Sequence, residues 1–186
     1  MDGTILATQP PATAPQRHFG TFGASHLCLI RPAADLQITS IEIGSGTPDP
    51  KLVTPYLRVI DPHPSAAAYP DPADGTFDTA LAKVGKPSLN QKESPALLGR
   101  FLEPPESKHL RIPTCRQSES AWAAISERRQ TRWPGVDLMA VVQSDAGGAV
   151  ANGIVVNYTL NGTRHVLKRS VDFVVCGEET RSLQSC

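Results

Sequence analysis

Hydrophobic and polar residues alternate most regularly near the C-terminus, over Gly153–Cys176. Two β-type runs in this segment are joined by Asn161-Gly162, a dipeptide typical of a type I′ hairpin turn because both central residues need a positive φ. A two-residue turn fixes the register, so Tyr158 is expected to face His165 across the hairpin. The apolar positions that this register turns inward are Ile154, Val156, Tyr158, Leu160, Leu167, Val171, Phe173 and Val175.

Upstream of the hairpin, further strand-like runs lie at residues 28–30 continued by 36–43, at 52–60, at 110–112 and at 136–143. The apolar alternation slips between Ile38 and Ile41, which predicts either a β-bulge or a strand buried on both faces. Pro55 lacks a backbone N–H, so it should confine its part of the second run to a sheet edge or a bend.

One helix is predicted over Ser118–Gln130. Ser118 can cap its first turn, which contains Glu119, and Arg128 and Arg129 lie in its last turn, where positive charge opposes the helix dipole. Shorter helical pieces are expected within 71–84 and 94–102. The expected packed stripe of the main helix comprises Ala121, Trp122 and Ile125.

Strands dominate this pattern, and it lacks the alternation of strand and helix that builds parallel sheets. It predicts an all-β fold, an antiparallel immunoglobulin-like β-sandwich with one or two short helices and a long proline-rich middle. Thirteen of the 17 prolines lie between Pro48 and Pro134 and divide the middle into short extended pieces. We therefore expect a flexible linker at residues 1–24 and a single sandwich domain at 25–186, with a loop-rich insertion at 61–108.

The charge balance gives no electrostatic case for a nucleic-acid partner, because 18 basic residues meet 18 acidic residues. The arginines at 128, 129 and 132, near two tryptophans, are more typical of a solvated face than of a binding surface. No apolar run approaches the ~20 residues of a membrane span, and no signal peptide is visible. The proline- and alanine-rich start is typical of a segment that follows a removed signal or anchor, which favours an extracellular or cell-envelope location.

Four cysteines, Cys28, Cys115, Cys176 and Cys186, are widely spaced and form no C-x-x-C pair. Their even number favours two disulfides in an oxidising compartment over four buried thiols in the cytosol. If the first and last strands run parallel, Cys28 and Cys176 lie at opposite ends of the sandwich, too far apart to be bridged. The expected pairs are then Cys115–Cys176 and Cys28–Cys186.

Candidate chemistry is sparse. Asp61 and His63 stand two residues apart in a proline-flanked segment, where they would share a metal or relay a proton; the alternative is a polar turn stiffened by proline. The acidic residues at 71, 74 and 78 lack the spacing of an EF-hand calcium loop. Tyr158 and His165 form either a small polar site or a cross-strand aromatic pair. The sequence therefore predicts no catalytic residue, metal or cofactor.

Six positions of the hairpin match a pattern seen in other proteins: Gly153, Tyr158, Gly162, Arg164, Leu167 and Cys176. At these positions the chain resembles uncharacterised actinobacterial extracytoplasmic domains, which usually follow an N-terminal membrane anchor. The resemblance covers about forty C-terminal residues well and the first strand loosely, while residues 61–108 and 118–130 depart from it. It implies a β-sandwich at the cell envelope and carries no known catalytic residues.

Two functional hypotheses follow. The first is a non-enzymatic extracytoplasmic β-sandwich module, binding or structural, whose partner is an unknown protein or envelope component recognised through loops at 61–108. The second is a small secreted hydrolase that uses Asp61 and His63.

Overall fold

The computed structural model describes residues 4–8, 19–33, 35–62, 82–84, 99–103, 110–127 and 129–186 of the 186-residue chain. This part of the chain forms two β-sheets and one helix, α1, which comprises Cys115–Ser126. The strands are β1 (Thr4–Thr8), β2 (Phe19–His26), β3 (Leu36–Ser45), β4 (Leu52–Ile60), β5 (Ala82–Val84), β6 (Arg100–Leu102), β7 (Gly135–Gln143), β8 (Ala149–Leu160) and β9 (Thr163–Val175).

One sheet has the strand order β1-β9-β8-β3, and the other has the order β5-β2-β7-β4-β6. Neighbouring strands run antiparallel, except that β1 runs parallel to β9. The predicted mainly-β, two-sheet sandwich is therefore confirmed. The sheets face each other across one hydrophobic core, in which Phe22 of β2 meets Phe173 of β9 at 5.4 Å between ring centroids.

The C-terminal hairpin has the predicted turn and register. Asn161 and Gly162 have φ values of 50° and 77°, as a type I′ turn requires. Tyr158 lies opposite His165, and their rings stack at 5.2 Å, which confirms the cross-strand aromatic pair. At the far end of β9 the predicted inward positions 171, 173 and 175 are buried, so the hairpin contributes the centre of its sheet to the core.

The predicted irregularity of the first long run is a β-bulge. The register of β3 against β8 shifts between Ile38 and Ser40. Because of this shift, Ile38 and Ile41 are both buried although they are three residues apart. Pro55 also lies where expected. Among the described residues, β6 pairs only with 57–59 of β4, so Pro55 has a described neighbour strand, β7, on one side only. This part of β4 is therefore at the edge of the described sheet.

The expectation of a flexible linker at residues 1–24 was wrong where the structure describes that range, while residues 1–3 and 9–18 lie outside the described residues. Thr4–Thr8 forms β1 and Phe19–His26 forms β2, with Phe22 fully buried. The glycines around Phe22 look loose in the sequence, but they allow close packing. A Cβ atom at Gly20 would lie 2.5 Å from the Phe22 ring, so only glycine leaves room for that ring.

The helix was predicted at the right place but with the wrong ends. Thr114, rather than Ser118, is the N-cap: its hydroxyl accepts a hydrogen bond from Gln117 N at 3.4 Å, and Gln117 Oε1 accepts one from Thr114 N at 2.8 Å. This reciprocal capping box begins the helix at Cys115 and places Ser118 inside it, buried. The helix ends at Ser126, so Arg129 lies beyond its last turn. The predicted packed stripe of Ala121, Trp122 and Ile125 is confirmed.

The expected disulfide pairings were wrong, although all four cysteines are in disulfides. Cys28 pairs with Cys115, with 4.7 Å between their Cα atoms, and Cys176 pairs with Cys186, with 5.6 Å. Cys28 starts no strand but follows β2, where the chain runs beside the approach to α1. Leu29 N donates to the carbonyl of Pro113, and Cys115 N donates to that of Leu29, so this pair of segments brings the two cysteines together.

The remaining expectations for the middle of the chain concern short elements. The helical pieces expected within 71–84 and 94–102 were wrong where the structure describes them, since Ala82–Val84 and Arg100–Leu102 are edge strands. Residues 110–112 form no strand; they lead to an isolated parallel bridge between Leu29 and Thr114. Most of the loop-rich insertion expected at 61–108 lies outside the described residues.

Charge substitutions on the hairpin test its inward and outward faces. Ile154→Asp should lower the free energy of unfolding by several kcal/mol, because Ile154 is buried and an unpaired carboxylate would lose its water. Lys168→Glu, on the exposed part of β9, should change it by no more than about 0.5 kcal/mol. Urea unfolding of both variants measures the difference, and equal losses would contradict the assigned faces.

Candidate functional site

A cavity of about 680 Å³ opens at the end of the sandwich that holds the Asn161-Gly162 turn, between the four-stranded sheet and the segment that follows β2. Its walls come from four parts of the chain: the segment after β2, the start of β3, the approach to α1, and the hairpin. The lining residues are Leu27, Cys28, Leu29, Ile30, Arg31, Pro32, Ala33, Leu36, Ile38, Ile112, Val156, Tyr158, Leu160, Asn161 and Leu167. The size and the apolar character of this lining are those of small-molecule sites.

The wall formed by residues 27–33 is fastened at several points. The Cys28–Cys115 disulfide ties it to the start of α1, and the backbone hydrogen bonds of Leu29 hold it against residues 113–115. Just after this wall, the backbone carbonyl of Asp35 accepts a hydrogen bond from Asn161 N at 2.9 Å, which joins the segment to the hairpin turn. These attachments indicate a cavity whose walls are in place before a ligand arrives.

Large apolar side chains remain exposed among the cavity residues. Ile30 is 93% exposed and Leu167 is 40% exposed. Both side chains stand among the residues that form the concave apolar surface, so a ligand in the cavity could cover them. The polar side chains of the lining are few, and Arg31 is the one charged residue among the described residues that line this cavity.

A second, more polar cavity adjoins the first and shares five lining residues with it: Leu29, Pro32, Ala33, Leu36 and Ile112. It adds Asp35 and Arg111. Its other polar groups are engaged in the fold, because the side chains of Thr114 and Gln117 form the capping box. The guanidinium of Arg111 lies 5.5 Å from the Trp133 ring centroid, a cation–π contact.

The five-stranded sheet buries an ion pair. Arg58 of β4 and Asp137 of β7 are directly opposite each other. Arg58 Nε donates to Asp137 Oδ1 at 3.0 Å, and Arg58 Nη2 donates to Oδ2 at 2.7 Å; both residues are almost completely buried. Burial raises the pKa of Asp137, and the adjacent guanidinium opposes that rise.

Trp122 of α1 covers this pair. Its ring centroid lies 5.4 Å from the Arg58 guanidinium carbon, and the ring of His26 stacks on it at 4.2 Å and 8°. His26 lies opposite Asp137 in the sheet, so Arg58, Asp137 and His26 form a row across β4, β7 and β2. Desolvation lowers the pKa of His26, and Arg58 also lowers it, while Asp137 opposes the shift. The row adjoins the cavity because Leu27 and Cys28 follow His26 directly.

Of the two residues proposed for catalysis, Asp61 and His63, the structure describes Asp61. Asp61 forms an exposed ion pair with Arg100, in which Nη2 and Oδ1 are 3.1 Å apart. His63 lies outside the described residues, as do Arg128 and the acidic residues at 71, 74 and 78. In the part of the chain that the structure describes, no three His, Cys, Asp or Glu side chains cluster as metal ligands, and no helix is long and apolar enough to cross a membrane.

Removing one partner of the buried ion pair should destabilise the domain strongly. Arg58→Met leaves the Asp137 carboxylate buried without its counter-charge, and we expect a loss of about 3–5 kcal/mol in urea unfolding. Arg58→Met combined with Asp137→Leu should recover most of that loss, because no charge then remains buried. Arg100→Met is the matched control, since it breaks a two-contact pair with Asp61 that is exposed; its loss should be far smaller. A double variant as unstable as Arg58→Met would contradict this reading.

The lowered pKa of His26 predicts a pH dependence of stability. Between that pKa and the unfolded value near 6.5, the unfolded chain binds more protons than the folded chain. Stability should therefore fall as the pH drops from about 7.5 through this window. His26→Phe keeps an aromatic ring for Trp122 but does not titrate, so its stability should decline less over the same range. Thermal unfolding of both proteins from pH 7.5 to 5 checks this, and parallel curves would exclude His26 as the source.

Comparison with known proteins adds no relative: no protein-family model, no curated protein and no solved structure matches the chain. The cavity, its exposed apolar residues and the fastened wall are therefore the basis for inferring function.

Proposed function

We propose that this protein is a non-enzymatic, extracytoplasmic binding module with an immunoglobulin-like sandwich, and that it binds an apolar ligand in the cavity beside the hairpin turn. The observation that carries the proposal is the cavity of about 680 Å³ together with the exposed Ile30 and Leu167 that line it. An apolar ligand in the cavity would remove these side chains from water, which is the main source of affinity at such sites.

The covalent structure supports the proposed location. Two disulfides are compatible with an oxidising environment outside the cytoplasm. One of them, Cys28–Cys115, ties the cavity wall to the start of α1. An oxidising compartment would preserve this disulfide and, with it, the position of the wall. The resemblance of the hairpin to envelope domains agrees with this location.

The described site geometry favours binding over hydrolysis. The Asp61 carboxylate is engaged with Arg100, whereas the apolar cavity holds no carboxylate or imidazole among its lining residues in the described part of the chain. Apolar walls with a few polar groups at defined places are suited to hold a ligand and orient it.

A neutral apolar dye tests the proposal. N-phenyl-1-naphthylamine should bind the purified protein saturably at one site, and Ala33→Trp should weaken this binding about tenfold or more, because the indole would occupy the cavity that Ala33 lines. Fluorescence titration gives the affinities.

Ala146→Trp is the control for a new surface tryptophan. Ala146 is exposed in the turn between β7 and β8, at the end of β8 opposite the hairpin turn. This variant should bind the dye like the wild type. Thermal unfolding of both variants establishes that they fold. Equal dye binding by a folded Ala33→Trp protein and the wild type would overturn the assignment of the site.

A further inference from the structure

The polar groups of the apolar cavity narrow its ligand to one chemical class. Arg31 and Asn161 are both exposed lining residues, and within the described part of the chain their side chains make no hydrogen bond or ion pair. A guanidinium offers five N–H donors and an amide offers two, so this lining provides unengaged donors beside an apolar wall.

Arg31 and Asn161 belong to segments that are joined to each other. Arg31 lies in the segment that leads to Asp35, and the carbonyl of Asp35 accepts the hydrogen bond from Asn161 N. The two side chains therefore stand on connected walls of one cavity. The adjoining polar cavity adds Asp35 and Arg111, so the described charges around both cavities are two arginines and one aspartate. This balance favours a ligand with a negative charge.

We infer that the cavity binds a long-chain fatty acid, with its alkyl chain along the apolar walls and its carboxylate on Arg31. This inference rests on the proposed function and adds the ligand class to it. The planar guanidinium matches a carboxylate through two parallel hydrogen bonds, and such charge-assisted bonds are about twice as strong as neutral ones. An alkyl chain along these walls would cover Ile30 and Leu167, the exposed apolar side chains of the lining.

Ligands with the same alkyl chain and different head groups test the two parts of the inference separately, namely the binding of the alkyl chain by the apolar walls and of the carboxylate by Arg31. Hexadecanoate, hexadecanol and hexadecyltrimethylammonium, each below its micelle concentration, are titrated against dye-loaded protein. Hexadecanoate should displace the dye with the highest affinity. Arg31→Gln should weaken hexadecanoate about tenfold, because the charge-assisted bonds are lost, and leave hexadecanol unchanged. Arg181→Gln, an exposed arginine in the C-terminal loop, is the matched control and should bind all three like the wild type.

The outcomes are distinguishable. If the three ligands bind alike, or if Arg31→Gln does not alter hexadecanoate binding, the fatty-acid inference fails while an apolar binding site stands. If neither the dye nor any of the three ligands binds, the proposed function fails as well. Preference for the ammonium ligand would overturn the assignment of Arg31 as the head-group contact.

Discussion

The buried pair of Arg58 and Asp137 is the constraint on which much of the five-stranded sheet depends. Two charges with so little access to water are tolerated only when each satisfies the other, and the two-contact geometry requires β4 and β7 to be in one register. A slip of β4 by one residue would turn Arg58 to the other face of the sheet and leave Asp137 without its partner. The pair thus selects one alignment among those that the apolar residues of β4 and β7 alone would allow.

The consequences of that alignment extend to the cavity. The pair needs a cover, and Trp122 provides it, which fixes where α1 lies against the sheet. The first residue of α1 is Cys115, so the position of the helix sets the position of the disulfide to Cys28. Cys28 belongs to the wall of the apolar cavity. Sheet register, helix position and binding surface are therefore linked through a short series of contacts.

Local patterns predicted the parts of the fold that local physics determines. The Asn161-Gly162 turn needs two positive φ angles, which few other dipeptides tolerate, so both the turn and the pairing of Tyr158 with His165 followed from the sequence. The bulge after Ile38 likewise followed from a break in alternation. The Cys28–Cys115 pair could not be found in this way, because it depends on where two segments 87 residues apart in the chain meet.

The candidate site was missed for a similar reason. Its walls come from segments far apart in the sequence, and none of them carries a recognisable ligand-binding motif. The ion pair could have been predicted from the sequence. Arg58 is the single charged residue of β4, and Asp137 is the single charged residue of β7. Single opposite charges within two buried strands indicate a pair, because neither could be buried alone. The expected ion pair would identify β4 and β7 as neighbouring strands, but it would not reveal the cavity.

The Cys28–Cys115 bond also gives the chain the topology of a closed ring. It encloses β3, β4 and the proline-rich middle, while the hairpin and the Cys176–Cys186 loop lie outside it. A protease that cuts once between Cys28 and Cys115 yields two polypeptides. They remain covalently linked until the disulfide is reduced. In an environment rich in proteases, the long middle segment can therefore be nicked without releasing either half of the sandwich.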